Sequence, residues 1–405
     1  MKKTIVSAVI LIFCFFLIND IKKIRELARS PIIKSSQNKA TETFESDTKK
    51  EIICQYVQIV NPETVDADKN DTIQKNIGYQ NNKVGLYIYA EVKEFSDLAS
   101  KLANSNGGDW GYVLIPYNVK DYDESRWNNL FDRLSIQHLI PIIQLWDLDI
   151  GDDEKTDKQI IKSAQFLNSL KWPIKQRYVS VYNETNDAKF WKGNIDPEGY
   201  ATILEKTINE LKKHNEDFFI MNGAFNASAR TGKDVLDESA YLIRMNKSVP
   251  GIFKMLDGWA SHPYPQPNFS GNKNGYGRDS IKAYEWELSL LATHFGVRDL
   301  PIFITETGWT HKESEYPNNK TEYTYNQYQV ADNIKYAFEK VWLPDDRIVA
   351  ITPFTIKYDA PFDNFSWITK NNSPYPQFTA IQSIKKISGK PQTVSYTKAK
   401  EVKCE

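Results

Sequence analysis

The chain has 405 residues, 41% of them hydrophobic and 13% aromatic, enough for one large buried core or two of ordinary size. Its formal net charge is −1, so no basic field draws in nucleic acid, and none is expected as a partner. Three cysteines and five scattered histidines, with no Cys-x-x-Cys, exclude a disulfide framework and a metal-ligand set, so no metal and no cofactor are expected.

In chain order, Lys2 and Lys3 precede an apolar run from Ile5 to Ile18, broken by Ser7. The run is shorter than the roughly 20 residues of a spanning helix. Residues 1–20 read as a signal peptide or a short signal anchor. The chain is therefore expected to be exported, either secreted or held at the cell surface by a membrane tether through residues 5–18. Residues 21–82 are polar and charged, as in "SSQNKATETFESDTKKE", and read as a linker or stalk. Only Ile52–Val60 has strand character there. Cys14 falls in the apolar run, and Cys54 and Cys404 sit near the ends of the remaining chain, either paired or as two lone thiols.

From Lys83 the pattern changes. Short apolar runs alternate with amphipathic stretches. The runs are Val84–Tyr89, Gly111–Pro116, Leu139–Leu145, Arg177–Tyr182, Asp217–Asn222, Leu256–His262, Pro301–Thr305 and Ile348–Phe354. Each precedes a helical pattern; in the clearest, Pro197 suits a first turn, and Ala201, Leu204, Ile208 and Leu211 share one face. Near-continuous hydrophobic strands are those of a parallel sheet covered on both faces. Eight strand–helix units predict an α/β fold, a (β/α)8 TIM barrel over residues 83–390, followed by a tail over 391–405. An open doubly wound sheet would call for a glycine-rich turn after its first strand, and "AEVKEFS" has no glycine.

A barrel places its site at the C-terminal ends of the strands. Tyr117 and Asn118 stand at the second end and Trp146 at the third. Asn183, Glu184 and Asn186 follow the fourth strand, and Asn222 and Asn226 the fifth. His262 and Tyr264 follow the sixth, Glu306 and Trp309 the seventh, Lys357 and Tyr358 the eighth. A lone Asn-Glu means little, and a Glu after a strand often serves only the dipole of the next helix. Glu184 and Glu306 together, facing one mouth among amides and aromatics, suit glycoside hydrolysis. One carboxyl protonates the departing oxygen while the other attacks the anomeric carbon or activates water. Asn183 is placed to bind a sugar hydroxyl, and tryptophan rings offer flat faces for a pyranose.

These motifs carry a resemblance. Asn183-Glu184, "SHPYP" and "ITETGW" are similar to strand endings of the clan A glycoside hydrolases, a barrel group with cellulase-like, mannanase-like and β-xylosidase-like members. The resemblance implies a retaining glycosidase with Glu184 as acid/base and Glu306 as nucleophile. It puts Tyr264 beside the nucleophile, holding its pKa down, and His262 in the site of the sugar being transferred. Asn183, His262, Tyr264, Trp309, Trp146, Asn118, Asn222 and Tyr358 are the expected substrate-binding residues. The implied partner is an oligo- or polysaccharide. The chain departs from the pattern at Thr185, where proline is usual, and at Tyr117 and Asn118, where many members carry an arginine. The eighth strand ends "PFTIKYD" without the usual tryptophan; Trp367 comes later.

Two loops round off the reading. "SGNKNGYGRDS" (Ser270–Ser280) is expected as a mobile cover over the cleft, and "DLDIGDDE" (Asp147–Glu154) as a solvated loop without calcium-site spacing. A non-catalytic carbohydrate-binding barrel would keep the aromatic cleft without needing both acids. A surface scaffold would need only the stalk.

Overall fold

The computed structural model describes residues 56–60, 80–89, 92–313 and 325–398. The segment 1–20 expected to direct export, most of the 21–82 stretch, and Cys14, Cys54 and Cys404 lie outside them. Within the 21–82 stretch, β1 (Tyr56–Val60) forms where strand character was expected, and it pairs antiparallel with β10 (Val394–Lys398). Residues 391–398 are thus not a free tail. They dock beside the barrel's lower rim, through Lys175 N–H to Gln392 O (2.8 Å) and Tyr396 OH to Trp172 O (3.2 Å).

The eight expected strands are β2 (Gly85–Tyr87), β3 (Gly111–Asn118), β4 (Leu139–Trp146), β5 (Arg177–Val181), β6 (Phe218–Asn222), β7 (Trp259–Ser261), β8 (Ile302–Ile304) and β9 (Ile348–Ile351). All their pairings are parallel, in sheets β2-β3-β4-β5-β6 and β7-β8-β9. Parallel bridges Met221 to Gly258 and Val84 to Ile351 join the two sheets and close the ring. Alternation splits the core into two layers. Tyr112, Leu114, Ile142, Tyr178, Phe219, Met221, Ala260 and Phe303 fill the barrel interior. There Tyr178, Phe219 and Phe303 pack ring to ring at centroid distances of 5.2–5.4 Å. The opposite face of each strand packs under the helices.

The helices begin where local chemistry starts them. Asp123, Asp152, Asp196 and Asp237 each accept a backbone N–H of the first turn that follows. Asn326 and Gln329 form a full capping box. The helix Pro197–His214 buries Ala201, Leu204, Ile208 and Leu211, the face the periodicity singled out.

Several expected boundaries move, three of them for a visible reason. The sixth strand begins at Trp259 rather than Leu256, because Asp257 exchanges both ladder bonds with Ile220 through its backbone N–H and its side chain (2.9 and 2.8 Å). The eighth stops at Ile351, because Phe354 N–H turns to Thr307 O (3.0 Å). The last helix ends at Ser383 rather than Ser388. There the Lys386 ammonium donates to the carbonyls of Ile381, Gln382 and Ile384, satisfying that C-terminus. Among the described residues, no helix is long and apolar enough to cross a membrane.

Candidate active site

The site is built from the ends of β4, β5, β7 and β8. At the end of β5 the backbone leaves the extended region twice: Tyr182 has φ 72° and Glu184 φ 39°. Such conformations cost of order 1–3 kcal/mol each for a residue with a side chain. They turn Asn183 and Glu184 out of the strand direction. Neighbouring Gly223 permits the bend. A Cβ there would lie 2.5 Å from Val181 O, and its absence lets Glu184 N–H reach Ala224 O at 2.8 Å.

Glu184 and Glu306 are both nearly buried, each 9% exposed. Fully enclosed His262 stands between them. Its Nδ1 is hydrogen-bonded with Glu184 Oε1 at 2.9 Å and lies 3.9 Å from Glu306 Oε2. Tyr264 OH donates to Glu306 Oε2 at 3.0 Å. Gln144 Nε2 donates to Asn183 Oδ1 at 2.9 Å, which orients the amide beside Glu184. Asn183, Glu184, His262, Tyr264 and Glu306 thus come together as the sequence led one to expect.

The electrostatics differ from expectation in one respect. Burial raises the Glu306 carboxyl above its ordinary value; His262 pulls it down, Glu184 pushes it up, and Tyr264 OH and Gln144 pull it down. Tyr264 does act in the expected direction, but desolvation outweighs it. Burial alone would lower His262, yet the charges of Glu306 and Glu184 more than reverse that, and its pKa is raised. Tyr264 itself is pushed well up by burial and by both acids, so it stays a donor.

Other expected residues sit elsewhere. Asn222 is fully enclosed and bonds both backbone groups of Ala260, accepting from N–H (2.9 Å) and donating to O (3.0 Å). It stitches the seam between β6 and β7, where the two sheets meet. Trp309 is buried, and its indole N–H donates to Gly271 O (2.8 Å), so it anchors the 270–280 loop. Asn118 Nδ2 donates to Asp147 Oδ2 (3.1 Å), and Asp147 is ion-paired with Lys120 and Lys192. Trp146, the last residue of β4, is half-buried. Tyr358 lies among Tyr89, Phe354 and Phe362. Lys357 turns away to Lys370 O and Asn372, and Asn186 ties the backbones of Asn226 and Leu236. Trp367 is buried in the helix-side core.

Both loops are firmer than the sequence suggested. The Arg278 guanidinium bonds Ala227 O, Ala229 O and Asp237 and lies 4.3 Å over Trp286, pinning Ser270–Ser280 at its far end. In the acidic loop, Asp147 and Asp149 are paired with Lys120, Lys155 and Lys192.

Sequence reasoning missed Gln144. Its signal was a lone amide inside the apolar run "LIPIIQL". Also missed were Tyr87 and Phe354, stacked edge to face at 5.1 Å; Tyr87's pKa is raised by burial and by the nearby Glu306 charge. Nothing in a buried strand marks one aromatic as site-facing.

No protein-family model matches the chain, and no curated protein matches it in sequence. Solved structures do. One is a GH5-4 broad-specificity endoglucanase from Clostridium acetobutylicum, 15% identical, covering 74% of this chain and 96% of its own, with a TM-score of 0.50. Another is a β-glucuronidase from Bacteroides uniformis, 10% identical, covering 74% of this chain and 34% of its own, also at 0.50. At these identities the likeness is one of fold: the chain has a parallel α/β barrel like those of these two solved glycosidases.

Proposed function

We propose that the protein is a retaining glycoside hydrolase acting on an oligo- or polysaccharide. The observation that carries this reading is the pairing of Glu184 and Glu306 around one imidazole nitrogen, at 2.9 and 3.9 Å. Two oxygens held so close to one atom are at most about 7 Å apart, which fits the retaining separation of about 5–5.5 Å and leaves out most of the inverting range of ~6.5–9.5 Å. The barrel shared with solved glycosidases supports the same class.

In this reading Glu306, with Tyr264 on its Oε2, attacks the anomeric carbon. The glycosidic C–O bond breaks, and Glu184 gives its proton to the departing oxygen. Glu184, now a carboxylate, then takes a proton from water. That water attacks the anomeric carbon, and Glu306 leaves. His262 holds Glu184 in line through Nδ1, and Asn183, set by Gln144, is placed for a sugar hydroxyl. The apolar run Ile5–Ile18 supports export, secreted or tethered; cell fractionation with and without those residues tests it.

The test is turnover of an aryl-glycoside panel by wild type and Glu306→Gln. Loss of the nucleophile is expected to cost about three orders of magnitude or more in kcat. A 2-deoxy-2-fluoro glycoside should leave a mass label on Glu306. A label on Glu184 would reverse the roles. Wild type as inert as the variant on every sugar, while still binding a polysaccharide, would leave a carbohydrate-binding barrel instead.

A further inference from the structure

On the helix side of β7 lie two acids that the proposed reaction does not use. Glu238 opens the helix Glu238–Ser248, and Glu287 sits in the helix Ala283–Phe295. Both are fully buried, and none of their four carboxylate oxygens has a hydrogen-bond donor. Yet the two side chains lie within hydrogen-bonding reach of each other. Two acceptors placed face to face in a dry site require a proton between them. The groups around them are few. Trp259 and Ser261 of β7 lie beside Glu287, with the indole N–H and the hydroxyl otherwise unpaired. Arg278 and Asp237 face Glu238, and they are already paired to each other at 2.5 Å. His262 follows Ser261 directly, and its charge and that of Glu287 influence one another. The imidazole Nε2 is buried without a partner, while Nδ1 ties Glu184 to Glu306.

We propose that Glu238 and Glu287 share one proton and act as a positioning dyad whose charge adds to that of Glu306 and Glu184 in favouring the His262 cation. Its catalytic consequence rests on the glycosidase reading; its electrostatic core does not. Burial raises both carboxyls, so the dyad keeps its shared proton after exposed glutamates have lost theirs. The pair then carries one negative charge between its members, and the unpaired Trp259 indole N–H and Ser261 hydroxyl lie on the Glu287 side and favour it there. That charge favours the His262 imidazolium.

The two members therefore predict opposite effects. Glu287→Gln removes the charge and should lower the His262 midpoint. Glu238→Gln keeps a neutral donor against Glu287, which then stays ionised to lower pH, so the His262 midpoint should rise. The measurement is a titration of the His262 imidazole by NMR on the full chain, assigned with His262→Gln, for wild type and both variants. It needs no turnover. Opposite shifts in an inert protein keep the dyad and discard the glycosidase. Full aryl-glycosidase activity with His262 midpoints unmoved in both variants discards the dyad and keeps the enzyme. If Glu287→Gln does not fold, Glu238→Gln decides alone, and a midpoint there that is unmoved or lowered overturns the proposal. In an active enzyme, a pH–rate limb that moves with the His262 midpoint is the signature that packing alone would not produce.

Discussion

Replacing Asn222 by alanine separates a wall residue from a substrate-binding one. The side chain is fully enclosed and bonds both the N–H and the C=O of Ala260, at 2.9 and 3.0 Å. Alanine would leave both backbone groups without those partners at the seam between β6 and β7. A buried group left unsatisfied costs about 1–3 kcal/mol, and two of them give roughly 2–6 kcal/mol before relaxation; about 3 kcal/mol is expected. The small cavity adds to this, and water entering it subtracts. Urea denaturation followed by tryptophan fluorescence and far-UV circular dichroism should show a lower midpoint at unchanged slope. Where the variant is still folded, KM on an aryl glycoside should match wild type. A midpoint within about 0.5 kcal/mol of wild type, with KM raised tenfold, would refute the seam role and return Asn222 to the substrate.

Two further outcomes are expected. Tyr264→Phe removes a donor that pulls the Glu306 pKa down, so that pKa rises further. Since Glu306 attacks as the anion, activity is lost as pH falls through its pKa, and the acidic limb of kcat/KM should move to higher pH; a limb that stays put or moves down contradicts this. Trp309→Phe deletes the bond to Gly271 O, a loss of about 1 kcal/mol that should speed limited proteolysis within residues 270–280, whereas unchanged cleavage with a raised KM would place Trp309 in the cleft.

Much of the site was legible because barrel topology converts strand order into position. Eight apolar runs place Glu184 and Glu306 at the same rim, whatever the details between them. Asn222 and Trp309 occupy that rim too, yet one repairs a sheet seam and the other holds a loop. A polar residue at a strand end is ambiguous, because backbone groups where two sheets meet need partners as much as a substrate does. Gln144 was overlooked for the reverse reason: it looked like part of a buried strand.

The amino-acid sequence by itself determined the number and order of the strand–helix units, the first turn at Pro197 with the apolar face behind it, and the two acids at one rim. These are local or periodic properties, written in neighbouring residues. Only the tertiary structure decided that His262 links Glu184 to Glu306, that Gln144 sets Asn183, and that Glu238 and Glu287 meet in the dark behind β7. Burial, and the distances between residues dozens of positions apart, exist only once the ring closes, and they are what raise or lower a carboxyl's hold on its proton.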